Sequence, residues 1–256
     1  MKNILRQIAV IISIVLTLVV NTLANALPIN GQNTGQISDQ FKVYFVPAGY
    51  VFSIWGLIYI GLIAYAIFQA LPSQRENPRL QAIGWWVVLG SIANSIWIFL
   101  WHYNQFPVTV LAMLVLLVSL LVTYVKLGVN RSKVASAEKL AVHLPFSIYL
   151  GWITVATVAN ISDVLYFVNW NRFGLSPELW MSIILAAVVL IATLMNFLRR
   201  DIGYAAVLLW ALFGITVKQA GTAVVTPTWI AFALVALTLL AALGLRASNN
   251  SKMAKA

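Results

Sequence analysis

The chain has 256 residues, of which 62% are hydrophobic and only 9% charged, with a mean hydropathy of +0.92. A soluble domain carries roughly 45–50% apolar and about 25% charged residues, so this composition is that of an integral membrane protein with no room for a folded soluble domain. The net charge of +10 then records membrane topology and attraction to anionic headgroups rather than nucleic-acid binding, and the lack of cysteine excludes disulfides, thiolate metal sites and prenylation.

Uncharged runs of about 20 residues mark membrane helices, whereas barrel strands would alternate over about ten. Such runs predict an all-α protein with eight transmembrane helices near 7–27, 47–71, 81–102, 108–127, 141–160, 178–198, 202–221 and 228–245. The connections are short: PSQRENPR and NRSKVASAEK are polar turns, and Arg199, Arg200 and Asp201 alone part spans six and seven.

Lys2, Arg6, Arg75, Arg79, Lys126, Arg131, Lys133, Lys139, Arg199, Arg200, Arg246, Lys252 and Lys255 fall on one side of this arrangement. Lys42, Arg172 and Lys218 fall on the other. Lys and Arg near span ends stay cytoplasmic, so charge and an even span count both put the two termini in the cytoplasm. A rival reading makes Lys2, Arg6, the apolar stretch 8–20 and Ala24-Asn25-Ala26 a cleaved secretory signal. Against it, Asn21, Thr22 and Asn25 read as polar groups meant for a bundle interior.

Trp and Tyr gather at headgroup level, which accounts for Trp85, Trp86, Trp101, Trp170, Trp180 and Trp229 near span ends. Trp55, Trp97, Trp152 and Trp210 lie deeper. At a rise of 1.5 Å per residue, the first three share a depth of about 7–12 Å below the outer surface. Each has companions at helical spacing: Phe52 and Tyr59 beside Trp55, Asn94 and Trp101 beside Trp97, Ala156 and Asn160 beside Trp152. An amide in hydrocarbon needs a partner, so Asn94 points into the bundle. Interhelical glue with Ser91 and Ser95 would explain one such helix. Three helices at one depth point instead to an aromatic pocket in the outer leaflet for a flat, largely apolar ligand.

His102 and His143 stand at opposite ends of their spans, too far apart for one metal, and both read as solvated, as does Asp163. Lys218 reads as snorkelling, and the V-x-Y-x-K run at 122–126 is too loose a sterol pattern to use. No glycine-rich phosphate loop, H-E-x-x-H or serine elbow occurs. With only six acids, neither paired-carboxylate catalysis nor proton-coupled transport is supported, so no catalytic residue and no metal site is assigned.

PAGYVFSIWGLIYIGLIAYA (47–66), IANSIW (92–97) and YLGWITVATVAN (149–160) resemble motifs of the TspO/MBR family, the tryptophan-rich sensory proteins, over about residues 8–163. The chain departs from them at Ala48 and Tyr50, in a Phe52–Trp55 interval one residue short, in the distance from Pro145 to Tyr149, and in lacking a tryptophan-tyrosine pair in SDQFKVYF. The resemblance implies a five-helix bundle over 1–163 whose cavity lies under a mobile cover at 28–46. Residues 164–256 then add three helices and a basic tail with no assigned role. It also implies a membrane receptor or carrier that binds porphyrins or similar flat ligands at Trp55, Tyr59, Asn94, Trp97, Trp152 and Ala156, to which their neighbours Phe52, Tyr149 and Asn160 are added as candidate ligand-binding residues. A haem-like tetrapyrrole would be a ligand, with no obligatory cofactor. Membrane lipids and a second copy of the chain are the expected partners. A secondary transporter of another solute and a photo-oxidative porphyrin-degrading activity are the alternatives.

Overall fold

In hydrocarbon every backbone N–H and C=O must be satisfied within the protein, and the long apolar runs meet that demand as helices. The computed structural model describes residues 2–27 and 29–253. Pro28, Lys255 and the side chains of Lys2, Arg246 and Lys252, on which the loop and charge readings drew, lie outside the described residues. Among the described residues there is no strand. The helices are α1 (Lys2–Ala26), α2 (Thr34–Ser38), α3 (Ile54–Ala70), α4 (Pro78–His102), α5 (Phe106–Leu127), the single turn α6 (Ser136–Glu138), α7 (Leu144–Phe167), α8 (Pro177–Arg199), α9 (Ile202–Lys218) and α10 (Val225–Met253).

Seven segments among the described residues are long and apolar enough to cross a membrane. The eighth expected span is α9, an apolar helix of 17 residues. It starts at Asp201, whose carboxylate accepts from Tyr204 N at 3.2 Å, and its rise of about 26 Å is at the lower limit for a crossing. Helix starts follow proline and cap chemistry: Asn77 caps α4 before Pro78, and Ser176 caps α8 before Pro177. The fifth span begins earlier than 141, because a π turn at Lys139–His143 carries the helix into α7. Pro145 has no N–H for the carbonyl four residues back, and a wide turn accommodates that loss.

The chain forms two compact units, Met1–Val43 with Phe52–Trp170, and Tyr44–Val51 with Asn171–Ala256. In the first, Gln7 and Gln69 bond reciprocally to each other's carbonyls at 2.5 and 3.1 Å, Asn3 bonds Glu76, and Arg79 grips Glu138 at 2.6 and 2.8 Å. These bonds gather the start of α1, the 71–77 turn and α6 at one end. At the far end, residues 29–43 pack down. Asn30 donates to His102 O at 2.9 Å, Trp101 Nε1 donates to Thr34 O at 3.3 Å, and the Phe41 ring meets Trp101, Phe106 and Tyr166.

That packing corrects four readings of the sequence. Trp101 is buried rather than part of a belt, and His102, His143 and Asp163 are buried rather than solvated. At the 29–43 end the covering segment packs on Trp101 and His102, and at the other end His143 is buried beside Glu138. Of the three polar residues near the end of α1, Asn21 alone is buried, while Thr22 and Asn25 are exposed.

In the second unit α8, α9 and α10 pack together, and Asn196 Nδ2 donates to Val235 O and Thr238 Oγ1. The 44–51 segment lies on α9 at Gly214: Ala48 N donates to Gly214 O at 3.0 Å, and a Cβ at Gly214 would overlap the Val51 side chain. Trp210 Nε1 donates to Val51 O at 3.1 Å, with Tyr50 edge-on to its ring.

Candidate functional site

The polar residues inside the first unit form a directed chain. Asn21 Nδ2 donates to the backbone carbonyl of Thr17 at 2.8 Å and to Asn94 Oδ1 at 2.6 Å. A backbone carbonyl only accepts, so Thr17 fixes which way the Asn21 amide faces, and Asn21 in turn fixes Asn94. Asn94 Nδ2 is thereby turned to Tyr149 and donates to its hydroxyl at 3.2 Å. The phenol oxygen accepts, and its own proton is free to point elsewhere.

Around Tyr149 stand the aromatic rings of α3 and α7. Trp55 stacks on Tyr59 at 5.7 Å between centroids and meets Tyr149 at 6.0 Å and Trp152 at 6.2 Å, both edge-on. Phe52 meets Trp152 edge-on at 5.7 Å. Such pairs contribute about 0.5–1.5 kcal/mol each beyond burial. Tyr149 is 4% and Trp152 2% exposed, whereas Phe52, Trp55 and Tyr59 are half-buried. The Trp152 indole N–H has no acceptor among the described residues. The cluster thus holds two buried donors one helical turn apart, the Tyr149 O–H and the Trp152 N–H.

Trp97 belongs to a second cluster, nearer the 29–43 segment. Its ring stacks on Trp101 at 5.3 Å, and its Nε1 donates to Asn160 Oδ1 at 3.3 Å. Asn160 Nδ2 donates to Thr109 Oγ1 at 2.9 Å, and that hydroxyl donates to Phe106 O at 2.5 Å. Trp101, Phe106, Phe41 and Phe167 close this cluster.

The nine predicted residues therefore divide. Phe52, Trp55, Tyr59, Tyr149 and Trp152 meet as rings, with Asn94 bonded to Tyr149. Trp97 and Asn160 bond each other instead, and Ala156 is half-buried on α7 between Trp152 and Asn160. Trp55 and Trp152 touch, so no flat ring lies between them as they stand. The polar and ring interactions of Trp55 among the described residues are ring contacts alone.

Two contributors escaped the sequence reading. The sequence points Asn21 inward without singling it out as the residue that orients the site, although it lies on the same α1 stripe as Thr17, four residues earlier. Thr109 gave no signal beyond a hydroxyl in an apolar run. Among the described residues no group of three His, Cys, Asp or Glu gathers to hold a metal ion.

A family model described as TSPO-like protein matches residues 7–244, from the first turns of α1 into α10. Of the last three helices, to which the motif resemblance gave no role, α8, α9 and the larger part of α10 fall inside the match. No curated protein and no solved structure matches the chain.

Proposed function

The chain belongs to the family of TSPO-like proteins, and from that premise we propose that it binds a flat, largely apolar ligand bearing hydrogen-bond acceptors, of the porphyrin type. At the coarser level it is a membrane protein of a ligand-binding or sensing family. The ligand lies against Phe52, Trp55 and Tyr59 and offers acceptors to Tyr149 and Trp152.

The observation that carries this reading is the unmatched Trp152 N–H standing among rings, one helical turn from a Tyr149 hydroxyl that accepts from Asn94. A buried donor left unbonded costs about 1–3 kcal/mol, and a ligand carboxylate or carbonyl removes that cost, while stacking on indole and phenol faces favours a planar body. Turning Trp55 outward opens the way to both donors, and Asn94 keeps the Tyr149 proton directed at the ligand.

The test is a titration of the detergent-solubilised protein, followed by tryptophan fluorescence, with protoporphyrin IX and with etioporphyrin, which has the ring but no carboxylates. Protoporphyrin binds more tightly to the native chain. Trp152→Phe reduces that preference by about tenfold, the equivalent of one charge-assisted hydrogen bond. Equal binding of the two porphyrins, or a preference untouched in Trp152→Phe, overturns the reading.

A further inference from the structure

At the opposite end of the same unit, Arg6 is buried in a place made for it. Its side chain lies along α4 where Gly84 leaves room: a Cβ at Gly84 would stand 2.6 Å from Arg6 Cδ and 2.7 Å from Cγ. Arg6 is 3% exposed, and its Nη2 donates to the backbone carbonyl of Arg75 at 3.2 Å. Nη1 meets no acceptor among the described residues, and neither does the buried Nε of Arg75.

The neighbouring carboxylates are engaged with other groups. Glu76 accepts from Asn3 at 3.0 and 3.1 Å and from Gln81 at 3.2 Å. Glu138 takes both arms of Arg79. Arg6 is thus held at the backbone of a second arginine, and each guanidinium keeps a buried donor left over. Glu76 acts on Arg6 only through space, and a buried cation without a contacting anion costs several kcal/mol. Phosphate is the complementary partner, since its oxygens match the planar fork of arginine and accept several bonds at once. The helix end that holds Arg6 is also where lipid phosphates stand.

We infer that Arg6 and Arg75 form a binding site for one phosphate group, presented by an anionic phospholipid headgroup or as the free ion. The site lies at the end of the unit away from the 29–43 segment and uses none of the residues of the aromatic cluster, so either reading can fail without the other.

The full chain in neutral detergent is titrated with phosphatidylglycerol and, separately, with inorganic phosphate at constant ionic strength. Binding is followed by the thermal midpoint and, for lipid, by native mass spectrometry. Saturable binding of one phosphate-bearing molecule per chain is expected. A response to lipid alone assigns the headgroup, and a response to the ion alone assigns free phosphate; either upholds the site. Arg75→Gln weakens binding about tenfold, and Arg6→Lys, which keeps the charge and loses the fork, weakens it as well. Lys133→Gln removes the same charge from an exposed position on the neighbouring turn and leaves binding unchanged. Should Lys133→Gln weaken binding as much as Arg75→Gln, or should neither ligand saturate, the site does not exist. Arg75 is half-buried and carries no packing load comparable to Arg6, so its variant decides even where an Arg6 variant fails to fold.

Discussion

Asn94 and Tyr149 are joined by a hydrogen bond of 3.2 Å whose direction is imposed from α1, through Asn21. Three helices thus share one polar relay. Interhelical hydrogen bonds in membranes contribute about 0.6–2 kcal/mol, and a buried donor that loses its acceptor adds its own cost. Asn94→Leu should therefore destabilise the protein by about 1–3 kcal/mol. In a double-mutant cycle with Asn21→Leu, the combined loss should fall short of the sum, because the second change removes a group already stranded by the first. Thermal unfolding in detergent measures both, and strict additivity would show that the two amides do not interact.

Trp97→Phe keeps the stack on Trp101 and removes the N–H that Asn160 accepts. The expected loss is about 0.5–1.5 kcal/mol of stability, with protoporphyrin affinity changed by less than about threefold, below 0.7 kcal/mol. A drop in affinity as large as that of Trp152→Phe would merge the second cluster with the ligand site.

Gly214→Ala puts a methyl where Val51 and Pro47 lie against α9. Overpacking of this kind costs about 1–3 kcal/mol, and the 44–51 segment must lift to relieve it. Trp210 loses its bond to Val51 O in the process, so its fluorescence should shift along with the fall in thermal midpoint. An unchanged Trp210 spectrum in a destabilised variant would place the strain elsewhere.

The helices were legible because insertion itself demands long apolar runs, and even the short α9 announced itself as one. The inward turn of Asn94 was legible for the same reason, since an amide has nowhere else to go in lipid. The partner of Trp97 was not. Residues three apart on a helix differ by about 60° around the axis and 4.5 Å along it, which lets Asn94 meet Asn21 and Tyr149 while Trp97 meets Asn160 further along α7. The buried state of His102 was hidden too, because it depends on residues 29–43 folding over the helix end, and no local pattern encodes that. The shared end formed by α1, the 71–77 turn and α6 was anticipated by the basic residues near each of them.

The 44–51 segment has one more implication, for biosynthesis. Val51 and its partner Trp210 are separated by 159 positions, and at a translation speed of about 5–20 residues per second that interval lasts roughly 8–30 s. During that time the nascent loop is already outside the ribosome while the helix it will rest on has yet to be made. Completion of the second unit is therefore gated by the arrival of α9, and a chaperone or the insertion machinery has a defined period in which to hold that loop.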